Sequence, residues 1–245
     1  MRIVLVLVVG LLISGCSGSD DRQVLLVSAA ASLTDAFGAV EEAFEAARPD
    51  VDVVLNLAGS SSLREQILGG APADVFASAN MENMEQVLTA GLVAGEPRVF
   101  ARNQLQIAVP PGNPAGISGL ADFADESLFL GLCATGVPCG DLARAALASA
   151  GVDPAVDTNE PDVRSLLTKI EAGELDAGIT YMTDVFSSEG KVEGIDIPDD
   201  VNVDASYPIA VLSGAPRPEI ADEFVGFLLS AEGQEIMSGF GFSSP

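Results

Sequence analysis

Histidine and tryptophan are missing from all 245 residues of this sequence, lysine occurs only at positions 169 and 191, and aromatic residues amount to 5%. Without histidine there is no side chain that ordinarily serves as a general base near neutral pH, and no imidazole to ligate a metal. The sequence also lacks G-x-S-x-G, so its exported-looking serines have no nucleophile-elbow motif around them, and Lys169 and Lys191 are poor substitutes for a base. The expectation is that the protein is not an enzyme. Tyrosine occurs only as Tyr181 and Tyr207, too few oxygen ligands for a ferric-ion receptor. Positive charge is scarce as well: 11 basic residues face 36 acidic ones, a formal net charge of −25. Such a surface repels nucleic acid and anionic membrane and excludes both as partners.

What the sequence does have begins with an apolar leader. Met1 and Arg2 precede an apolar run from Ile3 to Ile13, broken only by Gly10 and closed by "ISGC". The run is too short to cross a bilayer and has the layout of an export signal. Small residues before Cys16 resemble a bacterial lipoprotein cleavage site. On this reading residues 1–15 are removed, Cys16 is acylated, and residues 16–23, from "SGSDDRQ", form a polar spacer. The expected location is extracytoplasmic, with the membrane touched only through the N-terminal lipid.

After the leader, strand and helix patterns alternate. "QVLLVSAAA" is a buried-strand run, and "SLTDAFGAVEEAFEAARPD" follows with Leu33, Phe37, Val40 and Phe44 on one helical face, ended by Pro49. "VDVVLNLA", "SSSLREQILGGAPAD", "VFASA" and "MENMEQVLTAGLV" continue the alternation, which predicts a parallel sheet with ligands at the carboxyl ends of its strands. "QLQIAVPPG" opens a second unit that runs through "SLFLGLCA", "CGDLARAALASAG", "SLLTKIEAGELD" and "AGITY". "SYPIAVLSG" leads back toward the first unit, and "PEIADEFVGFLLSAEGQEIMSGFGF" reads as a final helix. No linker separates two autonomous domains. The expected class is therefore α/β with two lobes, 24–102 with 206–245 and 103–205, joined by crossing strands. Apolar residues at 48% are ample for two cores.

Cys133 and Cys139 stand in "CATGVPCG". Outside the cytoplasm this spacing suits a disulfide, although separate thiols, or a metal site completed by carboxylates, also fit the spacing. Two strand-to-helix junctions share a chemistry of their own. Ser32 follows "AAA", and Ser60 to Ser62 follow "LAG". Each could merely cap its helix. In a parallel sheet both junctions also lie on one edge, where helix N-termini and serine hydroxyls together form a site for a small oxyanion.

"AAASLTDAF", "AGSSSLREQILGGAPADVFASA", "EPDVRSLLTKIEAGELDAGITYMTD", "YPIAVL" and the terminal "GFGF" resemble, in order, the molybdate-binding proteins of bacterial ABC importers. That resemblance implies a type II periplasmic-binding-protein fold closing on a tetrahedral dianion, a membrane permease as partner, a monomer, and no cofactor apart from the transported anion. Residue by residue it implies oxyanion ligands at Ser32, at Ser60 or its neighbour Ser61, at the backbone amides of Cys139 in "VPCG" and Val163 in "DVR", and at the Tyr181 hydroxyl. Molybdenum would be held only through its oxygens, never as a bare cation. The family usually has alanine where Cys139 stands, but only the amide is needed there. The same resemblance leaves sulfate or another tetrahedral oxyanion as the alternative ligand.

Overall fold

The computed structural model describes residues 22–245; the export segment and Cys16 lie outside the described residues. Among the described residues the first lobe opens with β1 (Gln23–Ala30), α1 (Thr34–Ala47), β2 (Val51–Ala58), α2 (Ser60–Leu68), β3 (Val75–Ala77), α3 (Met81–Thr89) and β4 (Val93–Asn103). The chain then crosses into β5 (Leu105–Val109), β6 (Leu130–Cys133), α4 (Pro138–Ser149), β7 (Thr158–Glu160), α5 (Val163–Glu171), β8 (Ala177–Tyr181), α6 (Met182–Ser187) and β9 (Glu193–Asp196). It returns through β10 (Ala205–Leu212) and ends in α7 (Pro218–Leu228) and α8 (Ala231–Gly239).

Two five-stranded sheets result, ordered β2-β1-β3-β10-β4 and β7-β6-β8-β5-β9. β1 pairs in parallel with β2 and β3, and β6 in parallel with β7 and β8. The crossing strands break the expected parallel pattern: β10 runs antiparallel to β3 and β4, and β5 antiparallel to β8 and β9. A chain that must enter the second lobe and come back reverses direction in each sheet, so the antiparallel strands follow from the crossings themselves. The crossings are tied together where they pass. The Asn202 side chain accepts from Leu105 N–H at 3.2 Å and donates to Leu105 C=O at 3.0 Å, and Gln104 Nε2 donates to Asp204 Oδ1 at 3.1 Å.

The expected helical face of α1 is the buried one. Phe37, Val40 and Phe44 are 3% exposed or less, and they meet α7 through Phe37–Phe224 and Phe44–Phe224 ring contacts at 6.2 and 5.3 Å. The terminal helix departs from the single element the sequence suggested. Ser230 accepts the Gly233 N–H at 3.3 Å as the N-cap of a separate α8. Gly233 packs so tightly beneath the preceding turn that a Cβ would lie 2.3 Å from Phe227 O. Apolar periodicity runs through the break, and so it hid the serine cap.

Cys133, at the end of β6, and Cys139, in the first turn of α4, are joined by a disulfide with Sγ–Sγ at 2.04 Å. Arg144 braces the same loop, donating to Cys133 O at 2.7 Å and Gly140 O at 3.0 Å. Closing so short a loop removes about 2 kcal/mol of freedom from the unfolded chain. Mass analysis after alkylation without reductant should therefore show neither cysteine modified, and replacing both by alanine should lower the unfolding free energy by about 2 kcal/mol. Two alkylated thiols in the native protein would contradict the bridge.

Candidate functional site

The strand ends of both sheets face each other across one cavity. It is lined by Ser32, Gly59, Ser60 and Ala79 from the first lobe and by Cys139, Asp162, Val163 and Tyr181 from the second, among others. All five residues singled out from the sequence are on its wall. Ser61, the alternative to Ser60, is not. The cavity is small, with about 200 Å³ of space between its atoms. An organic solute of many atoms has no room there; a compact ion does.

Neither serine caps its helix, contrary to the simplest expectation. Ser32 sits inside a single 3-10 turn, Ala31–Leu33, that precedes α1. Its hydroxyl meets the Tyr207 hydroxyl at 3.0 Å. Asn103 Nδ2 approaches the Tyr207 oxygen at 3.5 Å and donates to Thr183 Oγ1 at 2.7 Å. Either hydroxyl can donate in the Ser32–Tyr207 bond, and when Tyr207 does, the Ser32 proton is free for an anion in the cavity. Ser60 opens α2 and is 1% exposed. Its oxygen accepts Ala79 N–H at 3.0 Å, so its proton is likewise uncommitted.

The second lobe offers backbone amides. Cys139 and Val163 lie in the first turns of α4 and α5, where N–H groups have no intrahelical acceptor. No protein acceptor for either amide is found among the described residues. Pro138, at the first position of α4, has no N–H of its own and its ring suits that position. Tyr181 is 1% exposed, and its hydroxyl makes no hydrogen bond to the protein. Burial first, and then the neighbouring Tyr207, raise its phenol well above the ordinary value, so the proton stays on as a donor. Burial raises the Tyr207 phenol in the same direction.

Neither Arg nor Lys lines the cavity. Arg164, nearby, spends its guanidinium on Asp35 across the lobes at 3.0 Å, and Lys169 is paired with Glu160 at 2.6 Å. Among the described residues no cluster of three or more acidic or thiol groups could hold a metal ion. The wall is thus a set of neutral donors drawn from both sides, suited to an anion without protons.

Sequence reasoning missed three parts of this site. Tyr207, Asn103 and Thr183 act behind the wall; "YPIAVL" and "GITYMTD" contain Tyr207 and Thr183 without showing that role. Asp162 lines the cavity, but its Oδ1 accepts Ser165 N–H at 2.9 Å and its Oδ2 accepts Ser165 Oγ–H at 3.1 Å, which turns the carboxylate to the cap of α5. Aspartate three residues before serine is an N-cap signal that was legible in "DVRS". Asp184 is buried behind Tyr181; its Oδ2 accepts Tyr181 N–H at 3.0 Å, and its Oδ1 has no partner.

Two lobes on crossing strands, closing around one small donor-lined cavity, define a solute-binding protein. The sequence matches the bacterial extracellular solute-binding protein family over residues 25–243, and the chain belongs to that family. It is 38% identical over 221 residues to the molybdate-binding protein ModA of Mycobacterium tuberculosis, which covers 90% of this chain and 85% of the relative. Among solved structures, the periplasmic molybdate-binding protein of Azotobacter vinelandii superposes with a TM-score of 0.77 at 16% identity, covering 90% of this chain and 99% of the other. The sulfate-binding protein SubI of Mycobacterium tuberculosis gives 0.81 at 17%, covering 91% and 87%. At those identities the two structures speak to the fold.

The site generates a pH prediction of its own. Burial raises the Asp184 carboxyl from its ordinary 3.8 to about 7, against the lowering effects of Tyr181 N–H and Arg164. Because the folded protein holds this proton more tightly than the unfolded chain, the stabilisation is complete below about pH 4 and lost as pH rises through about 7. Urea unfolding of Asp184→Asn, compared with the unaltered protein at pH 5 and pH 8, should show the variant gaining on the order of 1 kcal/mol or more between the two conditions. Parallel pH profiles would show that Asp184 does not titrate in this range.

Proposed function

We propose that this protein captures molybdate, or tungstate, outside the cytoplasm and delivers it to the membrane permease of an ABC importer. The observation that carries the proposal is the cavity wall: the hydroxyls of Ser32, Ser60 and Tyr181 and the amides of Cys139 and Val163 all donate, none is charged, and they come from both lobes. The curated relative named for molybdate supports the choice of anion. In this reading the five residues are the oxyanion ligands, the lobes are 24–102 with 206–245 and 103–205, and the molecule is a carrier without catalytic residues or a resident cofactor. It works as a monomer, held to the membrane by a lipid on Cys16, and its small anion is cargo.

A closed cleft built of oriented dipoles replaces the hydration shell of a dianion. Full cations would attract the anion more strongly but would be left exposed and unpaired each time the lobes opened. Donor-only lining also sorts anions by protonation. Phosphate near neutral pH still carries a proton that needs an acceptor, and the carboxylate on the wall, Asp162, is already engaged with Ser165. An unsatisfied donor on the ligand costs about 1–3 kcal/mol.

Calorimetric titration of the purified domain at pH 7.5 with molybdate, tungstate, sulfate and phosphate tests the assignment. Molybdate and tungstate should bind tightest and phosphate weakest. Sulfate ahead of molybdate would transfer the function to sulfate capture, and phosphate equal to molybdate would overturn the donor-only wall. Ser60→Ala and Tyr181→Phe should each weaken molybdate binding by about 1.5–3 kcal/mol, the range for a hydrogen bond to a charged group. The fold should be little changed. Full affinity in both variants would remove these two residues from the site.

A further inference from the structure

Gly59 ends the loop between β2 and α2 and lines the cavity. Its φ of −58° and ψ of 138° are as comfortable for alanine as for glycine. The backbone therefore gives no reason for glycine here; the reason lies across the cleft. A Cβ at this position would sit 2.6 Å from Pro161 O and 3.3 Å from Asp162 Cβ, both in the second lobe. A carbon and a carbonyl oxygen at 2.6 Å repel strongly, so a single methyl requires the lobes to stand apart by roughly an ångström.

Pro161 itself is exposed, but the backbone on either side of it is anchored. Pro161 is held between β7 and α5, with Glu160 O accepting Ala134 N–H at 2.8 Å on one side and Asp162 capping α5 on the other. The Arg164–Asp35 pair, a polar contact across this seam, is about one-third exposed on each partner and has long side chains that can follow a small movement. Hydrogen bonds cannot follow it. Amide and hydroxyl donors reach an oxygen usefully over only about half an ångström of distance. A gap of roughly an ångström thus takes the donors of one lobe out of range together.

We propose that Gly59 is a specificity-determining residue: by lacking a side chain it sets how closely the lobes approach at Pro161, and so the size of the tetrahedral anion on which both sets of donors can converge. This rests on the oxyanion-carrier function proposed above and adds the element that fixes ligand size, a role no donor side chain performs.

The test compares the unaltered protein with Gly59→Ala and with Gly38→Ala, a control on α1 where a Cβ meets nothing within 4 Å. Each is titrated with molybdate and with sulfate at pH 7.5, and each is measured by small-angle X-ray scattering with and without molybdate. Gly59→Ala should bind molybdate at least ten-fold more weakly, and sulfate should lose at least as large a factor, because its shorter bonds span a widened cleft less well. Its compaction on adding molybdate should shrink, while its ligand-free thermal unfolding stays that of the unaltered protein. Gly38→Ala should match the unaltered protein in binding and compaction. Affinity of Gly59→Ala within two-fold, or lost affinity with full compaction, would overturn the role of Gly59 while leaving the carrier function standing. Failure of the unaltered protein to bind either anion would remove the carrier function and this inference together.

Discussion

An anion sealed from water stays charged only if donors replace its hydration shell on every side, and one sheet edge offers donors on one side alone. That constraint organises the molecule. The carboxyl ends of β1 and β2 aim one set of donors at the seam, and the ends of β6, β7 and β8 aim another. The first turns of α2, α4 and α5 bring free amides and the positive ends of three helices to the same point. The antiparallel strands β5 and β10 follow from the need to join two such halves with one chain that crosses and returns. Even the close approach of Gly59 to Pro161 serves the same requirement, since donors on opposite walls act on one small ion only when the walls nearly touch.

Behind the wall, a second layer decides which way protons point. A hydroxyl both donates and accepts, so a serine becomes a dependable donor only when something else fills its acceptor side. Ala79 N–H does this for Ser60, and the Tyr207 hydroxyl, in contact with Asn103, is placed to do it for Ser32. Tyr207 is itself fixed by packing: Phe100, Phe242 and Tyr181 surround its ring at 6.2, 5.4 and 5.9 Å. Phe100 continues through Phe37 to Phe224 in the lobe core. A chain poor in aromatic residues has placed several of them in one continuous line from the first core to the site. Fold stability and proton orientation are thereby coupled through the same rings.

The sequence shows the elements whose signals are local. The apolar face of α1, the alternation of strands and helices, and the serines at two junctions were legible because each depends on neighbours within a few positions. The resemblance placed Cys139, Val163 and Tyr181, whose shared wall no periodicity could reveal. What stayed hidden depends on distance along the chain. The Ser32–Tyr207 bond spans 175 positions and the Asn103–Thr183 bond spans 80. The importance of Gly59 lies in the carbonyl of a residue about a hundred positions away, and a glycine with an ordinary backbone conformation announces nothing locally. The division of the last helix at Ser230 was missed for the opposite reason: a strong apolar period outweighed a serine cap that was plainly present.

The acidity of the chain sets the last condition on how such a site can work. A formal charge of −25 surrounds a cavity meant, on the present proposal, for a dianion, and Arg164 and Lys169 are already taken by Asp35 and Glu160. At physiological salt the field of exposed carboxylates fades over about 8 Å, so it slows the approach of the anion more than it opposes the closed complex. Acids beside the cavity are a different matter, because less solvent lies between them and an anion there. Asp162, half-buried on the wall, has both carboxylate oxygens engaged by Ser165 at the α5 N-terminus, and burial favours the protonated, neutral form of Asp184. These two carboxylates beside the site are therefore ones whose charge is locally offset or suppressed, and that arrangement lets neutral donors suffice in so negative a protein.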